Sequence, residues 1–181
     1  MKILYIVNMY IHIYNTYMRS DIFDACVAAI GSINGGVSSW PNGDGSTYTY
    51  QTTIAQTSRG AKFFGEVNDF PYACIWVDSE SRFHTGADQR YPIMYFTVRA
   101  MFEGIVDSNI PAVDQAENFL EDLDHVCKHF RRWLGVNANG VDTSGTEILE
   151  VRILNIATDS GVLEPRSVAE CVFEVIYLNS P

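Results

Sequence analysis

Apolar residues recur at helical spacing in two stretches of the chain. Val113, Ala116, Leu120, Leu123, Cys127, Phe130 and Leu134 alternate three and four residues apart, and Phe119, Val126 and Trp133 widen that stripe. Pro111 falls in the expected first turn, with Ser108 or Asn109 as cap. Acids fill the first half (Asp114, Glu117, Glu121, Asp122, Asp124), while Lys128, Arg131 and Arg132 fill the last turns, as the helix dipole prefers. The earlier stretch "RSDIFDACVAAIGSINGG" places Ile22, Phe23, Cys26, Val27, Ile30 and Ile33 on one face. Ser20 is the predicted cap, and Asn34-Gly35-Gly36 the predicted stop.

The remaining apolar runs have the period of strands. "TYTYQTTI" alternates, with Tyr48, Tyr50, Thr52 and Ile54 on one side. "YACIWV" is apolar on both faces, which suits a central strand. "YPIMYFTVRAMFEG" is a long strand with Pro92 near its start. Between these two, "SESRFHTGADQR" reads as a long polar loop, and "SRGAKFFGEVND" as loop with some strand. A closing hairpin places Leu149, Val151 and Ile153 inward and Glu150 and Arg152 outward. On its second strand Ala169, Cys171, Phe173, Val175 and Tyr177 form the apolar side, with Glu170 and Glu174 opposite. The order helix, strands, helix, hairpin predicts a single α+β domain. It has a mainly antiparallel or mixed sheet, two main helices on one face and a C-terminal β-hairpin.

Residues 1–17 stand apart from that domain, which runs from 18 to 181. "MKILYIVNMYIHIYNTYM" begins like a signal peptide, but Asn8 and His12 interrupt a short apolar run and no A-x-A site follows. The run is too short to span a bilayer, so no membrane partner is expected. It reads as an extra strand or an arm.

Charge and cysteine usage narrow the function. The 181 residues include 12 basic and 22 acidic side chains, for a formal net charge of −10. Such a surface repels phosphate backbones and argues against a general nucleic-acid binder, but suits a wall that nucleic acid passes without sticking. Cys26, Cys74, Cys127 and Cys171 each sit in an apolar run with no C-x-x-C pair, as small buried hydrophobes would.

Candidate chemistry is sparse. His125 and His129 lie one helical turn apart, with Asp122 one turn earlier, a spacing that can hold a metal. They point almost opposite the apolar stripe, so a solvated or interface face is the favoured reading. Cys127 falls on the core side and cannot meet either histidine as a catalytic pair. Asp44 in "NGDG" reads as turn chemistry, without the spaced acids of a calcium loop. No phosphate-binding or nucleophile-elbow motif occurs. Asp78, Glu80, Arg82, His84, Asp88 and Arg90 form a mixed-charge stretch that suits a solvated or subunit-contact loop. The expectation is a non-enzyme without catalytic, cofactor or metal residues.

Several segments in order carry a resemblance. They are "GDGSTYTYQTTI", "SRGAKFF", "FPYACIWVDSE", "PAVDQAENFLEDLDHV" and "ILNIATDSGVLEPRSVAECVFEVIYL". From about Met18 to Leu178 the chain resembles the tail terminator (tail completion) proteins of tailed bacteriophages. The resemblance implies a structural virion protein, assembled in the host cytoplasm. It would form a ring, typically a hexamer, that caps the head-proximal end of the tail tube, stops its growth and offers a docking surface to head or neck. The implied partners are further copies of the chain, the tail tube protein, neck or connector proteins, and the sheath protein if the tail is contractile. Genomic DNA would pass through the channel without specific binding, and no cofactor is implied. Glu150, Glu170 and Glu174, with Glu80, Arg82, Asp88 and Arg90, are then the candidate interface or channel-facing residues. The alternatives are another neck component (a connector or stopper ring), a small metal-dependent enzyme using His125 and His129, or a soluble ligand-binding module.

Overall fold

A computed structural model describes residues 19–85, 89–103, 111–133, 146–160, 162–163 and 165–179. Side chains are described for all of these except 82–85, 89–91, 146–147 and 178–179. Residues 1–18 and the loops expected at 104–110 and 134–145 lie outside this set, and with them the caps Ser108 and Asn109 and the stripe residue Leu134.

Two helices pack on one face of a five-stranded sheet. Helix α1 covers residues 19–31, and α2 runs Ala112–Lys128. The strands are β1 (Gln56–Arg59), β2 (Tyr72–Thr85), β3 (Gln89–Glu103), β4 (Thr146–Thr158) and β5 (Arg166–Asn179). Their order is β1-β2-β3-β5-β4. Only β1 pairs parallel, so the sheet is mixed, and β4–β5 is the expected hairpin.

The period-2 pattern places the core. Met94, Phe96, Val98, Ala100 and Phe102 of β3 join Ala169, Cys171, Phe173, Val175 and Tyr177 of β5 beneath the helices. Phe96 and Phe173 stack at 5.4 Å between ring centroids, and Phe23 of α1 lies 5.8 Å from Phe96. Each fully buried aromatic of this kind contributes roughly 1.5–3 kcal/mol by leaving water. All four cysteines are buried and free, as expected.

β2 is apolar on both faces because both are covered. Ala73 and Ile75 meet the helix layer, while Tyr72 and Cys74 join Val67, Met101, Phe64, Phe70, Trp76 and Val168 in a second small cluster. Residues 60–71, containing a short 3-10 turn at Phe64–Glu66, cover that second face.

Several local expectations are corrected. Residues 19 and 20 are already helical, so Ser20 does not cap α1. Pro111 is itself the N-cap of α2, with extended ψ of 152°, rather than a first-turn residue. α1 ends at residue 31, before the Asn-Gly-Gly; there Ser32 Oγ donates to the Ala29 carbonyl at 2.6 Å. Gly35 then turns the chain at φ +70°, where a side chain would also strike Thr53. "TYTYQTTI" is extended but not a ladder strand: it makes only isolated bridges, Val37 with Thr49 and Asn34 with Thr53. The loop expected at 79–90 is mostly a hairpin, since β2 runs to Thr85 and β3 starts at Gln89. β3 pairs with β5 only from Ile93 onward, so Phe83–Thr85 and Gln89–Tyr91 pair with one another alone, and the largely polar sequence there does not announce a strand. In β4 a bulge between Ile148 and Glu150 resets the facing, so Ile148 rather than Leu149 is the fully buried residue.

Candidate assembly surface

The part of the polar face of α2 that carries Asp122 and His125 is covered, although Glu117, Glu121 and Lys128 beside it are exposed. Asp122 is fully buried and His125 is 5% exposed, because residues 32–55 form a strap across them. The Asp122 carboxylate accepts from the Tyr48 hydroxyl at 2.8 Å and from the backbone N–H groups of Gln51 and Thr52 at 3.1 and 2.8 Å. His125 stacks on Tyr48 with centroids 3.8 Å apart. Its Nε2 lies 3.1 Å from the Trp40 carbonyl, which can only accept, so Nε2 carries the proton. Burial lowers the pKa of both His125 and His129, and His125 then depresses His129 further. The neutral rings are 4.6 Å apart, with Trp40 against His129.

This overturns the outward-facing reading of Asp122 and His125. The Asp122 carboxylate and the His125 Nε2–H hold the strap, and no group of three or more ligand side chains suited to a metal occurs among the described residues. The periodicity of α2 hid this, because the cover comes from about 70 residues earlier in the chain. Asp44 is turn chemistry as expected: its carboxylate accepts the Ser46 N–H at 2.9 Å, which lowers its pKa.

The predicted outer acids lie on the sheet face away from the helices. Glu170 holds Arg99 at 2.8 Å, and Arg99 also lies over Trp76 and Phe63. Glu103 holds Arg166 at 2.9 Å in the same way, over Phe64 and Phe70. Glu174 is 8% exposed, with Arg152 at 3.5 Å, and Arg152 reaches Glu150 at 2.6 Å. Glu80 binds Arg19 of α1 at 2.7 Å. Arg82 and Arg90 belong to the β2–β3 hairpin by backbone, while their side chains and Asp88 lie outside the described residues.

Among the described residues, four of the six exposed large hydrophobics lie at the β4 side, the other two being Val37 and Phe63. β4 is the last strand of the sheet, 13 residues long, with Leu154 50% and Ile156 54% exposed. The adjoining hairpin turn exposes Val162 (83%) and Leu163 (46%). That turn is held from beneath by Asp159, which accepts from Ser167 and from the N–H groups of Val168 and Leu163. A groove of about 800 Å³ runs between α2, β4 and the strap, with Leu120, Ile153 and Ile156 as its apolar part and Glu117, Glu121 and Asp124 among its acids. Sequence reading singled out the turn but not its apolar tip; the paired signal was Val162-Leu163 inside a turn otherwise rich in Asp, Ser, Gly and Pro.

A strand edge with no further strand beyond it among the described residues, and an apolar turn beside it, form a surface suited to contact with other proteins. The particular family is defined by sequence. Residues 36–181 match the bacteriophage tail tube terminator proteins, and the chain belongs to that family. A comparison with curated proteins finds no match. The matched region takes in every strand of the sheet and α2, so this is a structural phage tail protein. No described helix is long and apolar enough to cross a membrane.

Proposed function

We propose that copies of this chain close into a ring, typically hexameric, on the head-proximal end of the tail tube. The ring stops further addition of tube subunits and presents a docking surface to the neck. The observation that carries this reading is the family match across residues 36–181. The shape of the sheet supports it. A closed ring uses heterologous contacts, so each copy needs two different sides. One side here ends in the four-residue parallel strand β1, and the other in the long edge of β4 with its apolar turn. Glu150, Glu170 and Glu174 are placed in this proposal toward a neighbour or the channel. Their arginine partners leave that patch near neutral, so repulsion of DNA rests on the excess of acids over the whole chain.

The test is electron microscopy of purified protein mixed with tail-tube subunits. Rings seated on one end of shortened tubes are the expected result. Tubes of unchanged length with bare ends would refute it, and rings seated only on portal-side particles would favour a connector instead.

A further inference from the structure

We propose that the N-terminal segment of one copy, within Lys2–Ile13, adds as a strand to the free β4 edge of the next copy and so links the ring. The inference rests on the ring reading above. It joins two features that are each incomplete alone.

The first is the edge. On its inner side β4 pairs with β5, and no strand lies on its outer side among the described residues. It has no proline or lysine to discourage pairing, and Leu154 and Ile156 are about half exposed. Bulges at Ile148/Glu150 and Ile153/Asn155 divide it, leaving Glu150–Ile153 and Asn155–Thr158 as regular runs that can accept a strand.

The second is the occupant. "KILYIVNMYIHI" is rich in Ile, Val and Tyr, which favour strands, and leaving such a run open to water favours aggregation. Residues 1–17 contain Lys2 and no acid, in a chain of net charge −10. The groove beside β4 carries Glu117, Glu121 and Asp124, with Lys128 as its lysine, so the charges of arm and site are complementary.

The exit point of the arm selects the neighbouring copy rather than its own. α1 lies at the β1–β2 side: Asp24 pairs with Arg59 of β1, and Arg19 with Glu80 of β2. β4 is at the opposite end of the sheet. Head-to-tail association turns the β1 side of one copy toward the β4 side of the next. Residues 1–35 also lie outside the family match, so this link belongs to the chain's own N-terminal region.

The experiment places a benzoyl-phenylalanine photocrosslinker at Leu154 in the full chain. Nitrogen-15-labelled and unlabelled protein are mixed before assembly on tail-tube subunits. Mass spectrometry is expected to find Leu154 joined to residues 2–13 in mixed heavy–light pairs. Pairs of one isotope only would mean the arm folds back on its own chain, and absence of arm peptides would mean it docks elsewhere; either overturns the proposal. Capping of tubes is scored on the same sample. Capped tubes without the crosslink sink the arm alone, and uncapped tubes sink the terminator reading. As a second check, Val7→Pro with Ile11→Pro is expected to weaken self-association by about tenfold or more in sedimentation, because proline cannot donate to a ladder. Association equal to that of the unmodified chain would overturn it.

Discussion

Two irregular segments each cover one face of the same sheet's architecture, and they do so by opposite means. The strap at 32–55 lies over α2 and is fixed by one buried carboxylate and one neutral histidine. The segment at 60–71 lies over the far face and is fixed by apolar contact with arginines at its rim. Arg99 and Glu170 remain 25% and 35% exposed, and Arg166 and Glu103 each 42%. A buried acceptor with its donors fully aligned acts as a single fastener. Half-solvated pairs act as a diffuse one, since water competes for every charge.

The largest predicted effect follows from the single fastener. Asp122→Ala removes the acceptor of the Gln51 and Thr52 N–H groups and the Tyr48 hydroxyl, the Thr52 bond being buried and the other two partly so. Unsatisfied buried groups cost about 1–3 kcal/mol each, and partial entry of water limits the sum to about 3–5 kcal/mol. Urea denaturation measures it. Asp122→Asn, which keeps an acceptor, is expected to recover part of the loss. A loss below about 1 kcal/mol for the alanine variant would mean that the strap is held by its aromatic contacts instead.

The far-side cover predicts a smaller change. Arg99→Met keeps the alkyl contact with Trp76 and removes the charge from Glu170. The expected cost is about 1 kcal/mol or less, falling further as salt is added. An effect equal to that of Asp122→Ala would erase the distinction between the two covers.

These two regions also mark where sequence patterning reaches its limit. The strands β3 and β5 and the α2 stripe were legible because their partners are apolar and their periods are short: Phe96, Phe173 and Leu123 announce their own burial. The family resemblance likewise came from the order of such segments. Asp122 and His125 were read as facing solvent or a partner, because local spacing reports the side of a helix and not what lies over it. Tyr48, Tyr50, Thr52 and Ile54 showed their alternation correctly, and Tyr50, Thr52 and Ile54 are indeed buried. Yet the hydrogen bonds of this run go to a carboxylate and to residues 33–38 rather than to a strand. The β2–β3 hairpin was missed for the reverse reason: from Ile93 to its tip it has no third strand among the described residues, and its largely polar sequence reads as loop. The exposed β4 edge depends on strand order, which periodicity does not encode.

A third prediction separates the covers by their response to pH. Burial lowers the pKa of His125 and His129 below the unfolded value, so the unfolded chain takes up their protons first. The stability they contribute is complete above about pH 6.5 and is lost as pH falls from there through the folded values. The slope is at most about 1.4 kcal/mol per pH unit for each ring. Protonation also gives His125 a second N–H to satisfy beneath Tyr48, where it is stacked. Segment 60–71 contains no histidine. Hydrogen exchange at pH 5.5 is therefore expected to quicken for amides of the strap, including Tyr50 and Thr52, relative to their rate at pH 7.5 after correction for intrinsic exchange. Amides near Glu66 and Val67 should not follow. A His125→Gln variant should lose most of the strap's pH dependence while keeping an N–H for the Trp40 carbonyl. Equal acceleration of both segments would show that acid loosens the domain as a whole and that the histidines are not its local cause.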